Sequence, residues 1–438
     1  MSIKQKNVPR LRFPGFTDAW ERQSVKDSFL FIQNNTLSRA ELSMNNGCAK
    51  NIHYGDILVK FGEYLEVSKT DLPYIKAQRI LEKYRSSLLR DGDIIMADTA
   101  EDETVGKCTE IAELHGSQAI SGLHTIPMRP KANFASGYLG YYMNSKAYHD
   151  QLFPLMQGIK VTSVSKSAIQ GTNISFPRSV AEQDAIGKCF IRIDTLITLQ
   201  QRKLDQIKEY KKGMLQKMFP KDGESVPEVR FPGFTGEWER RKFKDAFEFL
   251  QNNTLSRAEL SHDGGVAKNI HYGDILVKFG EYFDASEGSL PYITSQMVVE
   301  KFKSSFLQDG DVIMADTAED ETVGKCTEVA GLQGFPTVSG LHTIPLRPKK
   351  KFASGYLGYY LNSGAYHDQL LPLIQGTKVS SVSKSSIQNT EIMFPSDIAE
   401  QAAIGRCFIG LDNLITLHQR KLEAMKEYKK GLLQQMFV

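Results

Sequence analysis

Cysteine, tryptophan, long apolar runs and net charge are all in short supply in this sequence. Cys48, Cys108, Cys189, Cys326 and Cys407 show no C-x-x-C spacing, and their odd number leaves one without a partner. A disulfide framework is therefore not expected, and a reduced, cytoplasmic compartment is. No apolar run approaches the about 18 residues that a membrane span needs, so no membrane association is expected. Met1 to Arg12 is polar and basic without an apolar h-region, so nothing in it reads as an export signal. Formal net charge is only +3, which leaves local clustering as the only source of any strongly charged surface. Catalytic signatures are missing as well. The N-P-P-[YF] tetrad, the G-x-x-x-x-G-K-[ST] phosphate loop and H-E-x-x-H do not occur, so the chain itself is not expected to be an enzyme. Asp98-Thr-Ala-Glu-Asp-Glu103 is acidic but lacks the ligand spacing and glycine of a calcium loop; it reads as a solvated loop. His53, His124 and His149 form no ligand set by spacing. No metal or cofactor is expected in this chain.

What the sequence has is a copy of itself. Residues 12–219 align without insertions on 230–437, at an offset of 218, with 146 identities in 208 positions. Lys50 to Tyr64 returns unchanged as Lys268 to Tyr282, and the three histidines return as His271, His342 and His367. The unit is far longer than the roughly 20–50 residues of solenoid repeats, so it is a duplicated domain with two equivalent tasks.

Each copy has two parts. Short apolar runs broken by Gly, Asp, Asn and Pro fill 1–178 and 230–396. Ile57-Leu-Val, Ser87-Leu-Leu, Asp93-Ile-Ile-Met-Ala and Thr125-Ile-Pro-Met read as strands, with Tyr54-Gly-Asp and Arg90-Asp-Gly-Asp as turns. Tyr138 to Tyr148 and Lys166 to Gln170 read as short helices. The expected class is α+β. Residues 179–219 and 397–438 each read as one long helix, joined to the next module by a linker at 220–229. Ser179-Val-Ala-Glu182 is a capping box, and Asp397-Ile-Ala-Glu400 plays the same part. Ile186, Phe190, Ile193, Ile197, Gln200, Leu204, Ile207, Lys211, Met214 and Met218 fall at alternating spacings of four and three. Their counterparts, from Ile404 and Phe408 through His418 to Met436, do the same. Such seams predict a coiled coil. The linker reaches at most about 35 Å, too short to return along a helix of about 54 Å, so antiparallel pairing is expected, with the modules at opposite ends. Lys211 is expected toward an end, its ammonium in water.

Leu11-Arg-Phe-Pro-Gly-Phe with Trp20-Glu21, Phe176-Pro-Arg-Ser-Val-Ala-Glu-Gln183 and Tyr210-Lys-Lys-Gly-Met-Leu-Gln resemble the type I restriction-modification specificity subunits. The second copy keeps these motifs as Val229 to Phe234 with Trp238-Glu239, Phe394 to Gln401, and Tyr428 to Gln434. The resemblance covers nearly the whole chain, in the order recognition domain, helix, recognition domain, helix. It implies that each target recognition domain binds half of a split double-stranded DNA site. It also implies that the helices set the spacer and dock two methylation subunits. S-adenosylmethionine, ATP and Mg2+ would belong to partner subunits, the motor and endonuclease subunits among them. Family members usually carry two dissimilar recognition domains; two near-copies point instead to a nearly palindromic target.

DNA contact needs cations for phosphates and amides or arginine for base edges. Two stretches offer them. Gln33, Asn34, Asn35 and Arg39 lie in the first; Lys160, Ser163, Ser165 and Lys166 lie in the second. Lys50, Lys60 and Lys107 are further candidates for phosphates, and His53 and His124 are further candidates for DNA contact. The second copy supplies Gln251, Asn252, Asn253, Arg257, Lys268, Lys278, Lys325, Lys378, Ser381, Ser383 and Lys384. The copies differ most at 65–90 and 111–120, where Lys76 stands opposite Thr294 and Arg79 opposite Met297, so the half-sites would differ at a position or two if those residues touch bases. A coiled-coil interaction scaffold without direct DNA contact is the alternative, separable by salt-dependent duplex binding.

Overall fold

The computed structural model describes residues 7–158, 160–320, 322–376 and 378–438. Met1 to Lys6, and Ile159 of the lysine–serine stretch, lie outside them. The chain divides into two compact units. One runs to Gln201 and takes in Arg420–Val438; the other is Arg202–Gln419. Each unit therefore holds one module, the near half of its own long helix and the far half of the other copy's.

The first module is built on a five-stranded sheet in the order Phe29–Phe31, Thr125–Pro130, Ile94–Ala97, Cys108–Ala112, Tyr64–Glu66. Its pairs are antiparallel except the last, where Tyr64 to Glu66 runs parallel to Glu110 to Ala112. A second sheet, Ala119–Ser121, Ala49–Ile52, Tyr74–Ile75 and Leu42–Ser43, forms a small lobe. Leu37, Ala49, Ile75, Leu81, Tyr84 and Ile120 make its core. The second module repeats this plan, except that its small sheet has three strands and Ser261 makes only a single bridge to Tyr292.

Two strand assignments from sequence are corrected. Ile57-Leu-Val belongs to a helix, Tyr54–Val59, started by His53, whose Nδ1 accepts the Gly55 N–H at 3.2 Å. A short apolar run does not by itself separate strand from helix. Ser87-Leu-Leu ends a 3₁₀ turn (Arg85–Ser87). The strands at 94–97 and 125–130 and the helices near 138–149 and 166–170 are present as read.

The long helices, Val180–Lys217 and Ile398–Gln435, form an antiparallel coiled coil. Every seam position from Ile186 to Met218 and from Ile404 to Met436 is buried or half-buried. In the first unit Phe190 stacks on Phe437 at 5.7 Å while Asp194 pairs with Lys429 at 2.7 Å. Advancing along one helix means retreating along the other. In the second unit Phe408 with Phe219 and Asp412 with Lys211 follow the same rule.

Module and helix are locked together by the residues of the repeated motifs. Arg12 donates through Nε and Nη2 to both oxygens of Glu182, at 2.6 and 2.8 Å, and Trp20 Nε1 donates to the same carboxylate at 3.3 Å. Gln183 accepts the Ala135 N–H and donates to the Pro177 carbonyl, at 3.0 and 2.8 Å. Arg230, Glu400 and Gln401 repeat the arrangement. The capping box is thus only half formed: Ser179 Oγ accepts the Glu182 N–H at 3.4 Å, but the glutamate side chain serves Arg12. In the second copy Asp397 accepts the Ala399 N–H at 2.7 Å. Gly187 lets the helix touch the module, since a Cβ there would meet the Ser136 carbonyl at 2.5 Å.

The core of each module is finished by the other copy's helix. Phe437 lies within 5.7–6.4 Å of the rings of Trp20, Tyr138, Tyr142 and Phe190. Phe219 occupies the same place among Trp238, Tyr356, Tyr360 and Phe408. Burying such a ring contributes about 1.5–3 kcal/mol. Beside each plug sits a half-buried ion triad. Lys429 reaches Glu63 and Asp194, both at 2.7 Å, over the Tyr141 ring. Lys211 reaches Glu281 and Asp412, at 2.9 and 2.7 Å, over Tyr359. The expectation that Lys211 points to water is therefore wrong. Burial opposes the charge on Lys211 and Lys429, but the two carboxylates outweigh it and raise both ammonium groups above their ordinary value.

Candidate nucleic-acid interface

One face of each module gathers the polar stretches that lie far apart in sequence. In the first, Gln33 and Asn34 leave the edge strand Phe29–Phe31, with Gln33 exposed and Asn34 Nδ2 donating to the Gly122 carbonyl at 3.2 Å. Ser163 lies back against Gln157, the two exchanging N–H···O bonds of 2.9 and 2.8 Å. Gly158 permits this, with φ +114° and the Val161 carbonyl only 2.0 Å from where a Cβ would stand. Thr162 and Ser163 pair with Ala100 and Thr99, and Val164 N–H donates to the Asp98 carbonyl at 2.9 Å. Ser165 caps the helix Lys166–Gln170, and Lys166 Nζ lies 5.0 Å from the Phe31 ring. Phe31, Gln33, Asn34, Asp98, Ser165 and Lys166 thereby line one cleft of about 420 Å³.

From the cleft the face continues through rings to Arg39. Asp98 Oδ1 is 3.4 Å from His124 Nδ1. His124 adopts φ +53°, a left-handed conformation held by the Asp98 N–H on its carbonyl at 3.1 Å. Tyr54 meets the His124 ring edge-on at 5.2 Å and the His53 ring at 4.6 Å. Arg39 is exposed in a turn whose start is fixed by Ser38 and Glu41, and Arg39, Ser43, His53, Asp56 and Lys60 line a second hollow of about 220 Å³. Burial, with Arg39 nearby, lowers the basicity of His53. That direction suits the hydrogen bond its Nδ1 accepts from Gly55. The second module repeats the face, with Arg257 3.5 Å from Asp274, His342 at φ +55° and 3.5 Å from Asp316, and Lys384 Nζ 3.4 Å from the Leu250 carbonyl.

Among the residues singled out from sequence, Gln33, Arg39, Lys60, Lys160, Ser163, Ser165 and Lys166 are exposed, as are Gln251, Arg257, Lys278, Lys378, Ser381 and Ser383. Asn34, Asn252 and Lys384 are half-buried. Lys60 and Lys278 each pair with an aspartate one turn earlier, at 2.9 Å. Others do not reach the surface with their polar groups. Asn35 is buried, donating to Asn51 and the Ser121 carbonyl and accepting the Leu37 N–H; Asn253 does the same. Lys50 is buried with Nζ on the Val67 and Thr70 carbonyls at 2.5 and 3.3 Å. Its counterpart Lys268 lies over the Phe335 ring. Lys107 and Lys325 donate to the Leu58 and Leu276 carbonyls, both at 3.0 Å. Asn35, Asn253, Lys50, Lys107 and Lys325 hold loops in place with their amide or ammonium groups on carbonyls beneath the face, whereas Lys268 is half-buried. Tyr54 and Asp98, with their copies Tyr272 and Asp316, belong to the face although sequence reasoning does not single them out. Their signal is present in the unbroken identity of 50–64 and 98–110 with the second copy. Asp98 to Glu103 forms a turn in which Asp102 accepts from Thr104, and no group able to hold a metal ion occurs among the described residues.

Residues 235–427 match the family model of the type I restriction modification DNA specificity domain. Residues 12–219 share 146 of 208 aligned positions with 230–437, the copy that contains that region. The type I restriction enzyme MjaVIII specificity subunit of Methanocaldococcus jannaschii is 23% identical over 283 residues, 63% of this chain and 64% of its own. That match thus spans just under two thirds of the relative's length. The putative type I restriction enzyme MjaX specificity subunit of the same organism is 19% identical over 443 residues, covering 98% of this chain and 95% of the other. Among solved structures, the type I restriction-modification S subunit from M. genitalium has the same fold, with TM-score 0.52 at 11% identity over 98% of this chain and 99% of that one. A chain from a structure of type I R-M complex assembly and conformational transition gives TM-score 0.55 at 15% identity over the same shares.

Proposed function

From the premise that this chain belongs to the type I restriction-modification DNA specificity family, we propose that each module reads one half of a split duplex target. The reading face is the one running from Arg39 through Tyr54 and His124 to Lys166, and from Arg257 to Lys384. Exposed Gln33, Gln251 and the arginines suit base edges; Lys160, Lys166 and Ser163, with Lys378, Lys384 and Ser381, suit phosphates and register. The observation that carries this reading is that residues 33–39 and 160–166 share one surface in both copies. Lys50, Lys107, Lys325, Asn35 and Asn253 support that surface from below.

The helices set the spacer between half-sites and dock two methylation subunits, which bring S-adenosylmethionine; motor and endonuclease subunits bring ATP and Mg2+. The assembly works in the cytoplasm. No helix among the described residues is long and apolar enough to cross a membrane. Because the two faces are near-copies, the half-sites are the same or nearly the same sequence on opposite strands. Mapping methylated sites in the source genome tests this, and two unrelated half-sites would overturn it. The face is tested by Lys166→Ala with Lys384→Ala. Each phosphate-binding ammonium removed should reduce the slope of log affinity against log salt by about one, so by about two for the pair on the split target; an unchanged slope and affinity would remove this loop from the interface.

A further inference from the structure

The two modules share a reading face but not a charge. The difference sits in the small lobe that carries Arg39. Residues 37–52 and 72–88 hold six Lys or Arg and two Asp or Glu, a net +4. Residues 255–270 and 290–306 hold four and three, a net +1. Three substitutions make the gap: Lys76 opposite Thr294, Arg79 opposite Met297, and Asn45 opposite Asp263.

The fold gives Arg79 no hydrogen bond or ion pair among the described residues, and it gives Lys76 one exposed hydrogen bond that leaves its other two N–H groups to solvent. Lys76 is exposed and directly follows the strand Tyr74–Ile75, and its Nζ donates to the Ala40 carbonyl at 3.2 Å, one residue from Arg39. Arg79 is exposed near the start of the helix Gln78–Lys83. Neither forms an ion pair among the described residues. Leu37, Ala49, Ile75, Leu81, Tyr84 and Ile120 fill the lobe beneath them without their help. In the second module Met297 stands 78% exposed at the position of Arg79, so that position is not set by packing either. Lys76 lies beside Arg39 and repels it, and Arg79 adds a further unpaired charge to the same lobe, a cost that falls away when a polyanion lies across them.

We infer that Lys76 and Arg79 form an extra phosphodiester-binding patch on the first module, extending the Arg39 end of its face, which the second module lacks. The two modules then read like half-sites but hold the DNA backbone with unequal strength. The inference rests on the proposed reading face, and it adds a partner for residues that face does not include. On a duplex with a single half-site, the first module is the one that engages.

The test uses the full chain with its methylation subunits and two duplexes, one carrying the genome-mapped target and one with that target scrambled. Lys76→Thr with Arg79→Met installs residues that the second module already carries at the same places in the fold. Thr294→Lys with Met297→Arg is the reciprocal change. The first pair should reduce the salt slope by about two on both duplexes, so that about tenfold less affinity is lost between 50 and 200 mM salt. The reciprocal pair should raise it by about two, and the mapped target should stay the same in both. Unchanged slopes, with the wild type still selecting its target, overturn the patch and leave the reading face standing. A changed target sequence with an unchanged slope also overturns it, because the residues would then be reading bases. A wild-type complex that binds neither duplex in a salt-dependent way defeats the reading face itself.

Discussion

Glu110 is a carboxyl with almost no water around it, accepting the Gly137 and Gly140 N–H groups at 2.6 and 2.9 Å. Burial pushes it up to about 7 against these bonds, and Glu328 behaves alike. A folded-state value raised above the unfolded one means that the native protein binds more protons between them. The contribution to stability is complete below the ordinary carboxylate range and is lost as pH rises through about 7. Glu110→Gln with Glu328→Gln should therefore flatten the fall in unfolding free energy from pH 4.5 to 7, measured by denaturant titration. A variant with the wild-type slope would show that the carboxyls do not hold that proton. At this scale the sequence is least legible. Asn35 and Lys50 sit in polar runs beside Arg39, and nothing in such a run tells an outward ammonium from one donating to a carbonyl. Arg39 and Lys166 are recognisable by type and setting, whereas Tyr54 and Asp98 gain their place only when the chain brings residue 98 beside residue 164.

The long helices are legible because several local signals agree: Pro177 and Pro395 before the starts, capping side chains, and seams with a 3.5-residue period. Their joints to the modules are not, since Arg12 and Glu182 are 170 residues apart and only the fold makes them a pair. The motifs that carry the family resemblance turn out to build these joints and triads, and the face proposed to read DNA lies elsewhere. Within the helix Tyr54–Val59, Tyr54-Gly-Asp reads as a turn and Ile57-Leu-Val as a strand because three apolar residues fit either element, and the helix start is capped by a histidine where Ser, Thr, Asp or Asn is the usual sign. If helix length sets the spacer, four residues added near Gln200 and four near His418 should lengthen each helix by about 6 Å. A four-residue insertion keeps the seam nearly in phase. The preferred target should then gain about two base pairs between its halves. Methylation confined to the original spacing would refute the ruler.

Duplication is the one property of the whole molecule that needs no structure to see, and it fixes the architecture twice over. The structure adds the exchange of ends: Phe219 and Phe437 each complete the module of the other copy. Residues 1–219 should therefore form a closed twofold dimer, in which one chain's Phe219 fills the place that Phe437 fills in the first module. Val25 to Phe176 would supply the same core in each chain, and Lys211 would find Glu63 and Asp194 in place of Glu281 and Asp412. Sedimentation should show dimer at tens of micromolar, and methylation with partner subunits should require a perfectly symmetric site. Monomer alone, with no methylation, would rule this out. The same exchange has a consequence for how the protein is made. Leu432 to Phe437 leave the ribosome about 240 residues after Phe190, which at about 5–20 residues per second is roughly 10–50 s later. Through that interval the first module, although synthesised first, waits with Trp20, Tyr138 and Tyr142 around an unfilled site, and it becomes a finished domain only when the far end of the chain arrives.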